Sequence, residues 1–239
     1  MSEPKWNVLD AQHPVLWAFY QYGKSGKATS AVFGLASGGL AILSPPSGFS
    51  KADYAELARF GEITAIIAPS GYHHLGIPGC LEAYPNARLY ADARTARRIL
   101  AKNPALAGKT FEPLEALSPQ LGTKSMLAVP PGMRIQDVMA RFETSRGWIW
   151  YSNDLVSNHS KPSSSALVRL IQGWTHTPPG LAINGLLALA LVKSGKQCWP
   201  WLRDELKAHP PIAFIVGHGK PAEGSDLGAL LLGQLERRL

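Results

Sequence analysis

The chain has 239 residues, of which 46% are hydrophobic and 17% are charged. It can therefore bury a large core, and we expect residues 1–239 to form a single domain. The 24 Lys and Arg against 17 Asp and Glu give a formal net charge of +7. Because no dense basic tract appears, a nucleic-acid partner is the less favoured interpretation of this charge.

The cysteine content and the apolar segments exclude further classes of protein. Two cysteines without a CxxC motif exclude a disulfide framework. The N-terminal residues lack the basic and then apolar pattern of a secretory signal. The most apolar segment, Leu181 to Val192, has about half of the roughly 20 residues that a membrane-spanning helix needs. We expect a cytoplasmic protein without a membrane partner, and the sequence leaves a homodimer open.

The first part of the chain alternates between predicted strands and helices. From Ala31, the run AVFGLASGGLAILSPPSG has two apolar stretches around a Ser-Gly-Gly turn, which predicts a β-hairpin that the Pro-Pro pair ends. Lys51 to Phe60 has helical spacing of its apolar residues and follows Ser50, a suitable N-cap. A strand begins at Ile63. ARLYA and ARTARRILAKN then predict a strand and a helix that stops before Pro104.

The second half of the chain predicts a second sheet followed by helices. Runs typical of strands occupy Met126 to Val129, Asp137 to Phe142 and Trp148 to Tyr151. The polar run SNHSKPSSS, from Ser157 to Ser165, is typical of a surface loop or a lid. The remaining predicted elements are helices at Leu181 to Val192 and Trp199 to Ala208, a strand at Ile212 to Val216 and a helix at Asp226 to Leu239.

Three loops that follow predicted strands carry side chains able to bind a metal. PSGYHHLG follows Ala68, YSNDLVSN follows Trp150 and VGHGKP follows Ile215. The candidate ligands are His73, His74, Asp154 and His218. Imidazole nitrogens and carboxylate oxygens suit zinc, iron or manganese, and an open coordination position makes a bound water acidic enough to act near neutral pH. These loops predict metal-dependent hydrolysis.

Each candidate ligand also has a purely structural interpretation. One of two adjacent histidines can hydrogen-bond a carbonyl instead of binding a metal. Asp154 can cap the turn that follows it, and His218 can belong to a tight turn that its flanking glycines allow. Weaker candidates, for substrate contacts, are Tyr72, His159, His176 and Lys220.

The order of these segments resembles the metallo-β-lactamase-fold hydrolases over most of the chain. GGLAILSP is similar to the family's opening strands, and IIAPSGYHHLG followed by YPNARLYA is similar to its strand, metal-binding loop and next strand. VPPGMRIQDV resembles its PGH segment, IWYSNDL its strand ending in Gly-Asp, and IVGHGKP its final GHG loop. The resemblance implies an α/β fold, a four-layer αββα sandwich of two mixed β-sheets.

The family's metal-binding motif, HxHxDH, is degenerate in this chain. When its closing histidine is aligned with His74, its aspartate falls on His73 and its two leading histidines fall on Gly71 and Pro69. The histidine of the PGH segment falls on Met133, whose thioether is a poor ligand for the expected metals. The resemblance thus implies loss of the three-histidine site. It implies that the second metal position is kept by His73, His74, Asp154 and His218.

The sequence therefore predicts a hydrolase with at most one divalent metal ion, which activates a water against an ester, amide, thioester or phosphoester in a small-molecule substrate. A second metal ion is not expected. The missing ligands keep a second interpretation open, in which the site is catalytically degenerate and the protein acts as a binding or interaction module.

Overall fold

Two sheets, each with its own apolar core, organise the chain. The computed structural model describes residues 5–22, 26–123, 125–159, 165–175 and 177–239. These residues divide into two compact units, with the boundary after Leu127. That residues 1–239 form one domain stays a prediction.

The first unit contains a seven-stranded mixed sheet. Its strands are β1 (Asn7–Asp10), β2 (Val15–Tyr22), β3 (Gly26–Gly34), β4 (Leu40–Leu43), β5 (Ile63–Ile67), β6 (Arg88–Tyr90) and β7 (Phe111–Glu112). They lie in sequence order, antiparallel from β1 to β4 and parallel from β4 to β7. The helices are α1 (Lys51–Ala55), α2 (Ile77–Ala83), α3 (Ala93–Lys102) and α4 (Ser118–Leu121).

Local sequence signals explain most of the first unit. The predicted hairpin from Ala31 is confirmed as β3 and β4, which pair antiparallel. Ser50 caps α1 in a capping box with Asp53, and the carboxylate of Asp92 caps α3. Strands β1 and β2 lie outside the elements predicted from the sequence. Strand β2 pairs with β3 along its whole length, and this pairing holds as a strand a segment in which Phe19, Gln21 and Tyr22 are exposed.

The second unit contains a five-stranded mixed sheet and a separate two-stranded one. Its strands are β8 (Ser125–Ala128, at the boundary), β9 (Met139–Thr144), β10 (Gly147–Ser152), β11 (Val156–His159), β12 (Gly180–Ile183), β13 (Pro211–Val216) and β14 (Ala222–Glu223). The larger sheet has the order β14-β13-β10-β9-β8, and β11 pairs with β12. The helices are α5 (Ala166–Trp174), α6 (Gly185–Leu191), α7 (Gly195–Ala208) and α8 (Leu227–Leu235). None of the helices in the described part of the chain combines the length and hydropathy needed to cross a bilayer.

Strands β10 and β13 form the centre of the second core. Trp150 is fully buried, stacks on Phe214 at 5.9 Å between ring centroids, and donates its indole N–H to the carbonyl oxygen of His209 at 2.9 Å. The two strands are parallel, and their last paired residues are Ser152 and Val216. Because parallel strands end at the same edge of a sheet, the loops after β10 and β13 leave this unit side by side.

Two predicted segments of the second half differ from the structure. The predicted helix from Leu181 to Val192 is wrong at its start, because its first three residues pair with β11 and the helix begins only after Asn184. The Asn184 side chain caps α6 by accepting the backbone N–H of Leu187 at 3.1 Å. The predicted surface loop over 157–165 begins instead as a strand, β11, and its residues 160–164 lie outside the described part of the chain.

Both cysteines are buried, and they are expected to resist modification in the folded protein. Burial raises the pKa of the Cys80 and Cys198 thiols from 9.0 to about 12. Near pH 8 their thiolate fraction is about a thousandfold below that of an exposed thiol, so a thiol reagent should react slowly until denaturant is added. Because the folded state raises both pKa values, it binds these protons more tightly, and this contribution to stability is lost as the pH rises above about 9. Rapid reaction of either thiol without denaturant would contradict the burial.

Candidate functional site

In the first unit, His73 is a buried histidine whose ring is held from one side. Its Nδ1 lies 2.9 Å from the Ser44 hydroxyl and 3.2 Å from the Tyr20 hydroxyl, and these two hydroxyls are 2.7 Å apart. A hydroxyl that accepts the Nδ1 proton places the lone pair on Nε2, which is the arrangement found in metal-binding histidines whose other nitrogen is hydrogen-bonded. The structure therefore gives His73 a fixed orientation suited to binding a metal.

Ser44 follows β4 with a backbone conformation that is uncommon for a residue other than glycine. Its φ is 54°, in the left-handed region, and its backbone N–H donates to the carbonyl oxygen of Ile67 at 3.1 Å. Such conformations cost free energy and occur often at functional sites. This backbone geometry turns the Ser44 hydroxyl towards His73, and the same hydrogen bond ties the end of β4 to the end of β5.

His74 is also buried but has different neighbours. Its Nδ1 lies 3.5 Å from the side-chain nitrogen of Asn103, which follows α3. Burial first, and then the charges of Arg98 and His73, lower the pKa of His74, so its imidazole is neutral near pH 7, as a metal ligand must be. The two adjacent histidines thus differ in orientation, one towards β2 and β4 and the other towards the end of α3.

Arg98 lies beside Gly71, the position where the HxHxDH motif of the family has one of its leading histidines. A Cβ atom at Gly71 would lie 2.5 Å from Cδ of Arg98. The Arg98 Nε donates to the Gly71 carbonyl oxygen at 3.2 Å, and its guanidinium lies 4.3 Å from the ring centre of Tyr72. A cationic side chain therefore lies against a position that carries a metal ligand in the family pattern, and its charge disfavours a metal ion there.

Replacing Gly71 with histidine is expected to destabilise the protein through Arg98. The new side chain would displace Arg98 from its hydrogen bond and its aromatic contact, at a cost of about 1 kcal/mol in the free energy of unfolding. The cost should largely disappear when Gly71→His is combined with Arg98→Ala, as a double-mutant cycle in urea would measure. Gly233→His, at a helical position with no neighbour within 4 Å, is the control. Equal costs of Gly71→His with and without Arg98 would contradict the contact.

In the second unit, Asp154 and His218 are brought together by the ends of β10 and β13. Nε2 of His218 lies 3.0 Å from Oδ1 of Asp154. The other carboxylate oxygen of Asp154 accepts the side-chain N–H of Asn153 at 2.7 Å, and Asn153 is itself held by the Tyr151 hydroxyl at 3.1 Å. Two of the four predicted ligands are therefore neighbours in the folded chain.

Asp137 is a fully buried carboxylate that fixes the backbone at this site. Its two oxygens accept the backbone N–H groups of Asp154 and Leu155, each at 2.9 Å. Burial first, and then the charge of Asp154, raise the pKa of Asp137. In the sequence, Asp137 begins a predicted strand and is not among the predicted site residues. The one signal in the sequence is a carboxylate directly before the apolar run from Val138 to Ala140.

The glycines on either side of His218 allow two close backbone contacts. A Cβ atom at Gly217 would collide with the carbonyl oxygen of Asn153, and one at Gly219 would collide with that of Asn158. Gly219 also has a φ of 114°, which other residues rarely adopt. The His218 carbonyl oxygen accepts the Asn158 backbone N–H at 3.1 Å. The GHG segment is therefore a tight loop that holds the imidazole beside Asp154.

Met133 and the weaker candidates that the structure describes differ in their surroundings. Met133 bridges to Val192 and packs against the second core, so its thioether serves packing. Tyr72 is exposed beneath the guanidinium already described. Desolvation and then the charge of His218 lower the pKa of His159. Lys220 accepts the Asn158 side-chain N–H on its backbone oxygen at 2.7 Å, and His176 lies outside the described residues.

Comparisons with known proteins identify the fold. No protein-family model matches the chain, and no curated protein sequence matches it. Solved structures match over nearly the full length. A metallo-β-lactamase from Erythrobacter litoralis is 12% identical, with a TM-score of 0.56 and 99% of each chain covered. The DIM-1 metallo-β-lactamase is 14% identical, with a TM-score of 0.55 and 99% of each chain covered.

A third solved structure is the FIM-1 metallo-β-lactamase from Pseudomonas aeruginosa in its mono-zinc form. It is 13% identical, with a TM-score of 0.51, and the alignment covers 99% of this chain and 98% of that one. Identities this low are informative about the fold alone. With two mixed sheets and strand-end loops in the order that the sequence predicted, the chain has the metallo-β-lactamase fold.

Proposed function

We propose that the protein is a metal-dependent hydrolase that holds one divalent ion through His73, His74, Asp154 and His218. The observation that carries the proposal is the placement of Asp154 and His218, 3.0 Å apart, at the ends of two parallel strands. The loops after these two strands are among those for which the resemblance to the metallo-β-lactamase fold predicts metal ligands.

The donor atoms present fit a metal such as zinc. Two atoms that each bind one tetrahedral zinc ion at about 2.0–2.1 Å are themselves about 3.3 Å apart, close to the separation of the His218 nitrogen and the Asp154 oxygen. Three imidazoles and one carboxylate would leave the loaded site with a formal charge of +1. Nδ1 of His73 lies beside hydroxyls that can accept its proton, so Nε2 is the atom that His73 would offer to the ion.

The surrounding residues position these ligands before any ion binds. Ser44 and Tyr20 orient His73, Asp137 holds the backbone of Asp154, and Asn153 donates to its carboxylate. Fixed ligands bind a metal more tightly, because less conformational entropy is lost on binding. When bound, the ion would supply Lewis acidity for cleavage of an ester, amide, thioester or phosphoester.

A single ion is favoured over two by the surroundings of the missing ligands. Gly71 and Met133 have no donor side chain for the expected metals, and Arg98 places a positive charge beside Gly71. The mono-zinc form of FIM-1 is a metallo-β-lactamase solved with one metal. We therefore infer a stoichiometry of one ion per chain, with zinc, iron and manganese as the candidates.

A second candidate function is a non-catalytic binding module of the same fold. The contact between His218 and Asp154 favours it, because these two groups can stabilise each other without an ion. Arg98 beside Gly71 favours it as well, since its positive charge lies against a position where the family motif has a metal ligand. In this function the site would bind a ligand and leave it unchanged.

Metal titration followed by an activity screen separates the two functions. Metal-free protein is incubated with zinc or manganese, passed through a desalting column and measured for metal content, melting temperature and hydrolysis of chromogenic esters, thioesters and phosphoesters. The hydrolase proposal expects one ion per chain, a raised melting temperature and metal-dependent turnover. Trace metal with an unchanged melting temperature would overturn it, and one bound ion without turnover would favour the binding module.

A further inference from the structure

Helices α6 and α7 and the end of α8 surround a cavity in the second unit. Its volume is about 400 Å³, within the usual range for small-molecule sites. Its wall combines apolar side chains with polar groups, among them two arginines that follow α8 at its edge. The side chains that define it are Trp174, Leu189, Val192, Trp199, Arg237 and Arg238. None of the described residues that line the cavity is acidic, so its charge is entirely positive.

Arg238 has an unmet hydrogen-bonding group beside the cavity. Its Nη2 donates to the carbonyl oxygen of Thr175 at 2.8 Å, and its guanidinium lies 5.7 Å from the ring centre of Trp199. Its Nε is buried and has no hydrogen-bond partner among the described residues. A buried donor without a partner costs free energy, and a carboxylate is the group that guanidinium binds best. Burial and then the charge of Arg237 also lower the pKa of Arg238. A bound anion would accept a hydrogen bond from Nε and would offset the repulsion between the two arginines.

An exposed apolar stripe leads along α5 to the same cavity. Leu167, Leu170 and Trp174 are 66%, 71% and 72% exposed and lie on one face of the helix, at positions i, i+3 and i+7. Trp174 also lines the cavity, as does Leu189, which is 55% exposed on α6. The stripe and the cavity therefore form one continuous apolar surface with two cations at one end.

We propose that this surface binds a small carboxylate amphiphile, such as a medium-chain fatty acid. The carboxylate pairs with Arg237 and Arg238, and the hydrocarbon chain lies against Trp199, Leu189 and Trp174 and continues towards α5. The cavity has room for about a dozen heavy atoms at the volume that a water molecule occupies in the liquid. The arginines select the charge of the ligand, and the apolar wall selects its chain.

Calorimetric titration of the full chain with decanoate tests this proposal. Decyltrimethylammonium has the same chain and the opposite charge, and it serves as the comparison ligand. We expect saturable one-to-one binding of decanoate and no saturable binding of the cation. Arg237→Gln should weaken decanoate binding about tenfold, as loss of one charge-assisted hydrogen bond does. Arg146→Gln, an arginine in the turn between β9 and β10, should leave the affinity unchanged.

Substitutions at exposed positions test ligand binding without unfolding the protein. Arg238 also donates to backbone oxygen, so its replacement can unfold the end of α8. Trp174 is largely exposed, and Trp174→Ala should keep the circular dichroism and melting temperature of the parent while it weakens decanoate binding about tenfold. Equal affinity for decanoate and the cationic analogue would overturn the proposal. Parental affinity in both Arg237→Gln and Trp174→Ala would overturn it as well.

Discussion

Asp137→Ala is expected to lower the free energy of unfolding by about 3 kcal/mol, because it leaves two buried backbone N–H groups without an acceptor. These are the N–H groups of Asp154 and Leu155, which both bind the Asp137 carboxylate at 2.9 Å. Equilibrium unfolding in urea, followed by circular dichroism, measures the change.

Two further variants define the origin of this effect. Asp137→Asn keeps the size of the side chain but turns an amide N–H towards one of the two donors, so we expect a smaller loss of stability. Asp204→Ala removes an exposed carboxylate on α7 that pairs with Arg203, and it should leave the unfolding curve unchanged. Parental stability of Asp137→Ala would show that the loop after β10 does not depend on this carboxylate.

Asp154→Asn is expected to weaken zinc binding by about 100-fold or more, which exceeds the usual effect of losing a group that only orients a ligand. The substitution removes the negative charge from the proposed ligand set and keeps the shape of the side chain. Competition with a chromophoric zinc chelator measures the affinity, and the melting temperature of the metal-free protein shows whether the fold is intact.

The matched control for this substitution is Asp204→Asn, which makes the same chemical change on α7. It should bind zinc as the parent does. If Asp154→Asn and Asp204→Asn bind zinc equally well, Asp154 is not a ligand and the proposed site is wrong. If the parent protein binds no zinc, the result favours the non-catalytic binding module over the hydrolase.

Two strands that precede candidate ligand loops could be predicted because they are almost entirely buried. Ile63–Ile67 and Pro211–Val216 are nearly continuous apolar runs that end in glycine-containing loops, a pattern that depends little on the rest of the fold. In contrast, β2 mixes buried and exposed residues and is held by its pairing with β3. The strand β12 was missed because only Asn184 and Gly185 separate its apolar residues from those of α6, and periodicity alone does not distinguish a short buried strand from the start of a buried helix.

The candidate site could be predicted only as far as its loops. Asp154 and His218 follow strands whose parallel pairing brings them together, so their proximity follows from the topology. Asp137 and Arg98 act through contacts with residues that are distant in sequence, 17 positions away in the hydrogen bond to Asp154 and 27 in the one to Gly71. Nothing in the local sequence of either residue specifies such a partner. The side-chain orientation of His73 likewise depends on Ser44, which follows β4, and on Tyr20 in β2.

The central claim is that one metal ion binds to residues of these strand-end loops. Crystals grown with zinc and measured on both sides of the zinc absorption edge test it most directly, because the anomalous difference map locates each ion together with its ligands. The proposal predicts one strong peak per chain, within bonding distance of His73, His74, Asp154 and His218. Absence of a peak there, or a second peak beside Gly71 or beside Met133, would contradict it.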